Sequence, residues 1–102
     1  MPDPRIWPIG QAYTDHVTVL GVSTLVRAAN SHRVSLNLVN DGASVIYLSL
    51  GNPAVVGDGM RINPYGGSYH IGQSNLWLGE IYGITDDDQE MCNMTISEGY
   101  MP

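Results

Sequence analysis

From Arg33 the chain alternates. Val34, Leu36 and Leu38 fall on one side of an extended backbone, and Ser35 and Asn37 fall on the other. That period of two describes a strand with one wet face. Asn40-Asp41-Gly42 follows, and then a more continuous apolar run from Val45 to Leu50. Asp-Gly between two such runs predicts a β-hairpin, because these residues tolerate the positive φ of a tight turn. The second run predicts the more deeply buried, central strand.

The rest of the chain repeats the theme with weaker signals. His16–Leu20 and Ser23–Ala28 predict one or two short strands bent at Gly21, although Leu25–Ala29 also suits a helical turn. Ala54–Gly59 reads as a loop or a short edge strand. Met60–Asn63, Ser68–Ile71 and Leu76–Thr85 read as strands, the last with bulges or close contacts at Gly79 and Gly83. Glu90–Ser97 alternates again, with Cys92, Met94 and Ile96 inward, before a short tail from Glu98. About seven or eight strands separated by turn chemistry predict an all-β fold, an antiparallel sandwich or barrel of jelly-roll or immunoglobulin-like shape. The N-terminus departs from this pattern. Pro2, Pro4 and Pro8 bar it from a sheet interior. Residues 1–12 are expected to form an extended arm, and residues 13–102 a single sandwich domain. The apolar Ile6, Trp7 and Ile9 need cover, from their own domain or from a neighbouring subunit.

Composition narrows the function. The chain has 102 residues, a formal net charge of −6 and only 14% charged residues. Its four basic residues are all arginine (Arg5, Arg27, Arg33, Arg61), scattered in sequence. Nucleic acid and anionic membrane are poor partners for such a chain, since phosphate binding needs clustered cations. No apolar run approaches membrane-span length, and the proline-bearing start does not resemble a secretory signal, so the default expectation is synthesis in the cytoplasm. The lone Cys92 sits in an alternating run and is expected to be a buried thiol. Phe is absent, so Trp, Tyr and Met are expected to supply the bulk of the core.

Candidate chemistry is sparse. His16, His32 and His70 fit no zinc spacing. No nucleophile elbow or phosphate loop is present. Asp86-Asp87-Asp88 reads as a solvated turn, with a calcium ion or a neighbour's arginine as the sharper alternative. Trp77, Tyr69, Tyr65, Tyr82 and Tyr100 could build an aromatic platform for sugar, although strand aromatics more often serve a core or an interface. The expectation is a non-enzyme with no cofactor and no metal.

One stretch carries a resemblance. Ala29-Asn30-Ser31-His32-Arg33, Leu36-Asn37-Leu38-Val39-Asn40, Ile46-Tyr47-Leu48, Gly59-Met60-Arg61-Ile62-Asn63-Pro64, Gly66-Gly67-Ser68-Tyr69 and Leu78–Thr85 follow one another through the middle of the chain. Together they resemble small β-sandwich structural proteins of tailed bacteriophages. Tyr65 between Pro64 and Gly66, and Gly83 where that pattern often has Ala, are departures from it. The resemblance implies a virion protein made in the host cytoplasm. The leading form is a capsid decoration (cement) protein that binds the major capsid protein as a trimer on the shell surface. A receptor- or carbohydrate-binding module of a tail or fibre, using Trp77 and Tyr69, is the alternative. Ile6, Trp7, Ile9, Val55 and Val56 are the expected subunit and capsid contacts.

Overall fold

The computed structural model describes residues 11–86 and 92–101. The expected contacts Ile6, Trp7 and Ile9, and Asp87 and Asp88 of the acidic turn, lie outside the described residues. Eight strands form: β1 Gln11–Val19, β2 Thr24–Arg27, β3 Arg33–Asn40, β4 Ile46–Leu50, β5 Met60–Ile62, β6 Ser68–Ile71, β7 Ile81–Thr85 and β8 Cys92–Tyr100. Among the described residues the one helical element is a 3-10 turn at Gln73–Asn75, and none is long and apolar enough to cross a membrane.

The strands make two four-stranded antiparallel sheets, ordered β1-β8-β3-β6 and β2-β7-β4-β5. Within them β1 pairs with β8, β2 with β7, β3 with β6 and β4 with β5. This nesting is that of a long hairpin rolled into two layers, the jelly roll. It settles the choice against the immunoglobulin-like arrangement. Every connection except β4 to β5 passes from one sheet to the other.

The hairpin expected at Asn40-Asp41-Gly42 is therefore not one. Strands β3 and β4 belong to different sheets, and residues 41–45 form the corner between them. Neither Asp41 nor Gly42 has a positive φ. The local turn chemistry was legible, but its product is an arch. Asn40 organises it from within. Its side-chain oxygen accepts the Gly42 N–H at 3.0 Å, and its amide donates to the carbonyls of Ser44 (2.7 Å) and Ile62 (3.1 Å). The buried Cys92 Sγ lies 3.2 Å from the same oxygen and 3.3 Å from the Ser44 carbonyl. Asn40 is fully buried with its polar groups satisfied, the condition under which a buried amide is tolerated. Gly42 is needed for space: an added Cβ would overlap Cys92 Sγ.

The core fills the gap between the sheets. Leu36, Leu38, Met94 and Ile96 of one sheet meet Val26, Ile46, Leu48 and Ile81 of the other, all buried. Each such side chain contributes about 1.5–3 kcal/mol relative to exposure. The inward and outward alternation read from β3 and β8 is borne out, and Cys92 is buried. Strand β4 is an inner strand of its sheet, as expected, but alternates in burial along its length. Aliphatic residues and Met94 supply the bulk, while Tyr69 and Trp77 pack at the margin; of the Trp, Tyr and Met expected there, Met fills the centre and the aromatics do not. Ala54–Gly59 is a loop. The strand expected from Leu76 begins only at Ile81, because Trp77 folds back to donate its indole N–H to the Glu80 carbonyl at 3.0 Å. The expected tail from Glu98 is instead the end of β8.

Candidate functional site

Two β-bulges build the most polar part of the interior. In β3 the register against β8 slips at Val34, between Arg33 and Ser35. A bulge sets two neighbouring residues against one partner and re-aims a side chain. Arg33 and Val34 are accordingly both buried. In β2 a second slip at Val26 does the same for Arg27 on the opposite sheet. Both arginines meet Glu98 of β8. Arg33 Nε donates to Glu98 Oε2 at 2.6 Å, and Arg27 Nε and Nη2 donate to Oε1 at 3.1 and 2.8 Å.

The network reaches outward from there. Arg33 Nη1 donates to the carbonyls of Trp77 (2.9 Å) and Gly79 (3.2 Å), and Nη2 to that of Ala28 (2.8 Å). One guanidinium so fastens the β2–β3 loop and the segment before β7 to β8. Arg27 Nη1 also approaches Asp15 of β1 at 3.4 Å. Burial alone would raise the Glu98 pKa, but hydrogen bonds and positive charge from the two arginines outweigh it and hold the carboxyl below its ordinary value. Composition read these arginines as scattered; the fold puts both on one carboxylate.

Beyond Glu98 the sandwich opens. Strand β1 runs beside β8 with Tyr13 opposite Glu98 and Gln11 opposite Tyr100. The rings of Tyr13 and Tyr100 stack, with centroids 5.8 Å apart. Burial, the hydrogen-bonding Tyr13 hydroxyl and the Glu98 charge push the Tyr100 phenol up. A cleft of about 440 Å³ lies here, lined by the two tyrosines, Arg27, Glu98 and the 28–30 segment. Sequence reasoning named Tyr100 among the platform aromatics but passed over Tyr13, Arg27 and Glu98.

A second feature joins the β4–β5 loop to the β1–β2 turn. The Ala54 N–H donates to Ser23 Oγ at 2.8 Å, and Ala54 itself is buried. This pins the β4–β5 loop beside the β1–β2 turn. Val55 and Val56 on the loop, and Val22 and Leu25 on either side of Ser23, are all exposed. Of the expected contacts, Val55 and Val56 are exposed, on a loop whose tie to the β1–β2 turn the sequence did not single out.

The remaining candidates stay apart. Trp77 and Tyr69 are both half-buried against the core and form no aromatic pair with each other. His70 shares a 2.6 Å contact with Asn37 across β6 and β3. Among the described residues no three His, Cys, Asp or Glu gather as metal ligands. Asp86 is exposed, and its N–H donates to the Val45 carbonyl at 3.3 Å. Compared with protein-family models, curated protein sequences and solved structures, the chain matches none.

Proposed function

We propose that the protein is a virion structural component, a capsid decoration protein that binds the outer shell and ties neighbouring capsid subunits together. The observation that carries this reading is the exposure of Val22, Leu25, Val55 and Val56 on two segments that the Ala54 to Ser23 bond pins together. Exposed apolar side chains on segments held to each other suit a surface built to meet another protein. A polar, sparsely charged chain suits dense packing against neighbours. The resemblance of the Ala29–Thr85 stretch to phage structural proteins gives the partner its class, the major capsid protein. Acting as a trimer, three modest contacts reinforce one another through effective concentration and resist the internal pressure of a filled shell.

The test is binding to assembled shells, measured as copies bound per shell across a titration. Val55→Ser with Val56→Ser is expected to weaken occupancy roughly tenfold or more while leaving the fold intact. Deletion of residues 1–10 is expected to reduce it as well, through Ile6, Trp7 and Ile9. Unchanged occupancy in the double variant would remove these residues from the mechanism and the reading with them.

A further inference from the structure

The open end of the sandwich holds a group of side chains that shell binding does not use. We propose that the cleft between Tyr13, Tyr100, Arg27 and Asn30 is a binding site for a neutral pyranose sugar. This inference stands apart from the shell-binding reading and from the residues that carry it.

Four properties of the cleft select that ligand class. Its volume of about 440 Å³ falls within the range of roughly 300–1,000 Å³ of small-molecule sites. Tyr13 is 57% exposed although its ring stacks on that of Tyr100, which leaves it accessible to a ligand. The C–H face of a pyranose covers such a ring, and the stacked partner keeps it from rotating. The charges balance: Asp15 and Glu98 offset Arg27 and Arg33 within one network, so no net field favours an ionic ligand.

The hydrogen-bonding groups are also mixed in type. Arg27 has five N–H donors; its bonds to Glu98 and Asp15 account for three. Asn30 uses its side-chain oxygen to accept the His32 N–H at 3.0 Å, and among the described residues its amide N–H groups have no partner. The two phenols add acceptors. A sugar hydroxyl donates and accepts at once, so a polyol matches this mixture better than a flat aromatic ligand with few polar atoms.

The experiment is saturation-transfer NMR on the full chain with methyl glycosides of glucose, galactose and mannose, each repeated with an oligosaccharide ending in that sugar. Transfer is expected to the ring C–H protons of one sugar face, with a dissociation constant on the order of 1 mM for the best monosaccharide. Equal response to the free glycoside and the oligosaccharide assigns a terminal sugar; a stronger response to the oligosaccharide assigns an extended chain. Tyr13→Ala is expected to weaken binding about tenfold or more. Tyr13→Phe, which keeps the ring, retains most of it, and Tyr65→Ala at the opposite end binds like wild type. No transfer from any neutral sugar to protein shown to be folded by circular dichroism overturns the proposal. So does binding unchanged by Tyr13→Ala, or binding confined to uronic or sialic acids.

Discussion

Asn40 and Gly42 show how much one corner depends on single atoms. The Asn40 amide satisfies three main-chain groups and sits against a buried thiol. Gly42 leaves the space that Cys92 Sγ occupies. One added methyl there must displace a buried strand residue, and overpacking of that kind costs about 1–3 kcal/mol. Gly42→Ala is therefore expected to lower the unfolding free energy by that much, read as a lower urea midpoint with an unchanged m-value. Pairing it with Cys92→Ala is expected to recover part of the loss; failure to recover any would place the strain elsewhere. Tyr65 is the reverse case. It holds a φ of 58° at the β5–β6 turn while 80% exposed, so a strained conformation is kept at a position where its side chain packs against little.

At the scale of elements, the two bulges decide where charge goes. Without the slips at Val26 and Val34, strict alternation would turn Arg27 and Arg33 away from the neighbours their buried faces meet. With them, two sheets and two connecting segments converge on Glu98. Removing one member of a buried ion cluster leaves uncompensated charge and costs about 3–5 kcal/mol. Glu98→Gln is expected to lose that much at neutral pH, a large share of a small domain's stability, read as a fall in melting temperature. The pH dependence has a definite sign. Because the folded state holds the Glu98 pKa below its ordinary 4.5, its contribution is fully present above that value and is lost as pH falls through the depressed one. Wild type is expected to lose stability on acidification below about pH 4.5, and Glu98→Gln to lack that component. Parallel pH profiles of the two proteins would show that the carboxylate contributes nothing of this kind.

For the molecule as a whole, nesting sets the cost of folding. Gln11 pairs with Tyr100, and the register runs on to Val19 against Cys92. Most partners are distant in sequence, so loop closure precedes the reward of contact. Refolding from urea, followed by tryptophan fluorescence, is expected in the millisecond-to-second range typical of non-local β topologies. A microsecond phase carrying the whole amplitude would contradict that.

Much of this architecture was legible along the chain. The alternation of Val34, Leu36 and Leu38, and of Cys92, Met94 and Ile96, specifies strands and their inward faces, because side-chain direction has a period of two in any extended backbone. Turn residues mark where strands stop, because φ preference is local. What a strand pairs with is not local. Asp41-Gly42 looks the same whether the next strand returns beside β3 or crosses to the other sheet; only packing between the sheets, with Cys92 against Gly42 and Asn40 bridging to Ile62, selects the crossing. The candidate sites follow the same division. Val55 and Val56 stood out as apolar residues in a loop, yet only the Ala54 to Ser23 bond ties that loop to the turn beside Val22 and Leu25. Tyr13, Arg27 and Glu98 carry no signature in sequence, being far apart in the chain. They become a site because bulges and nested pairing bring them to one open end, and that juxtaposition exists only in three dimensions.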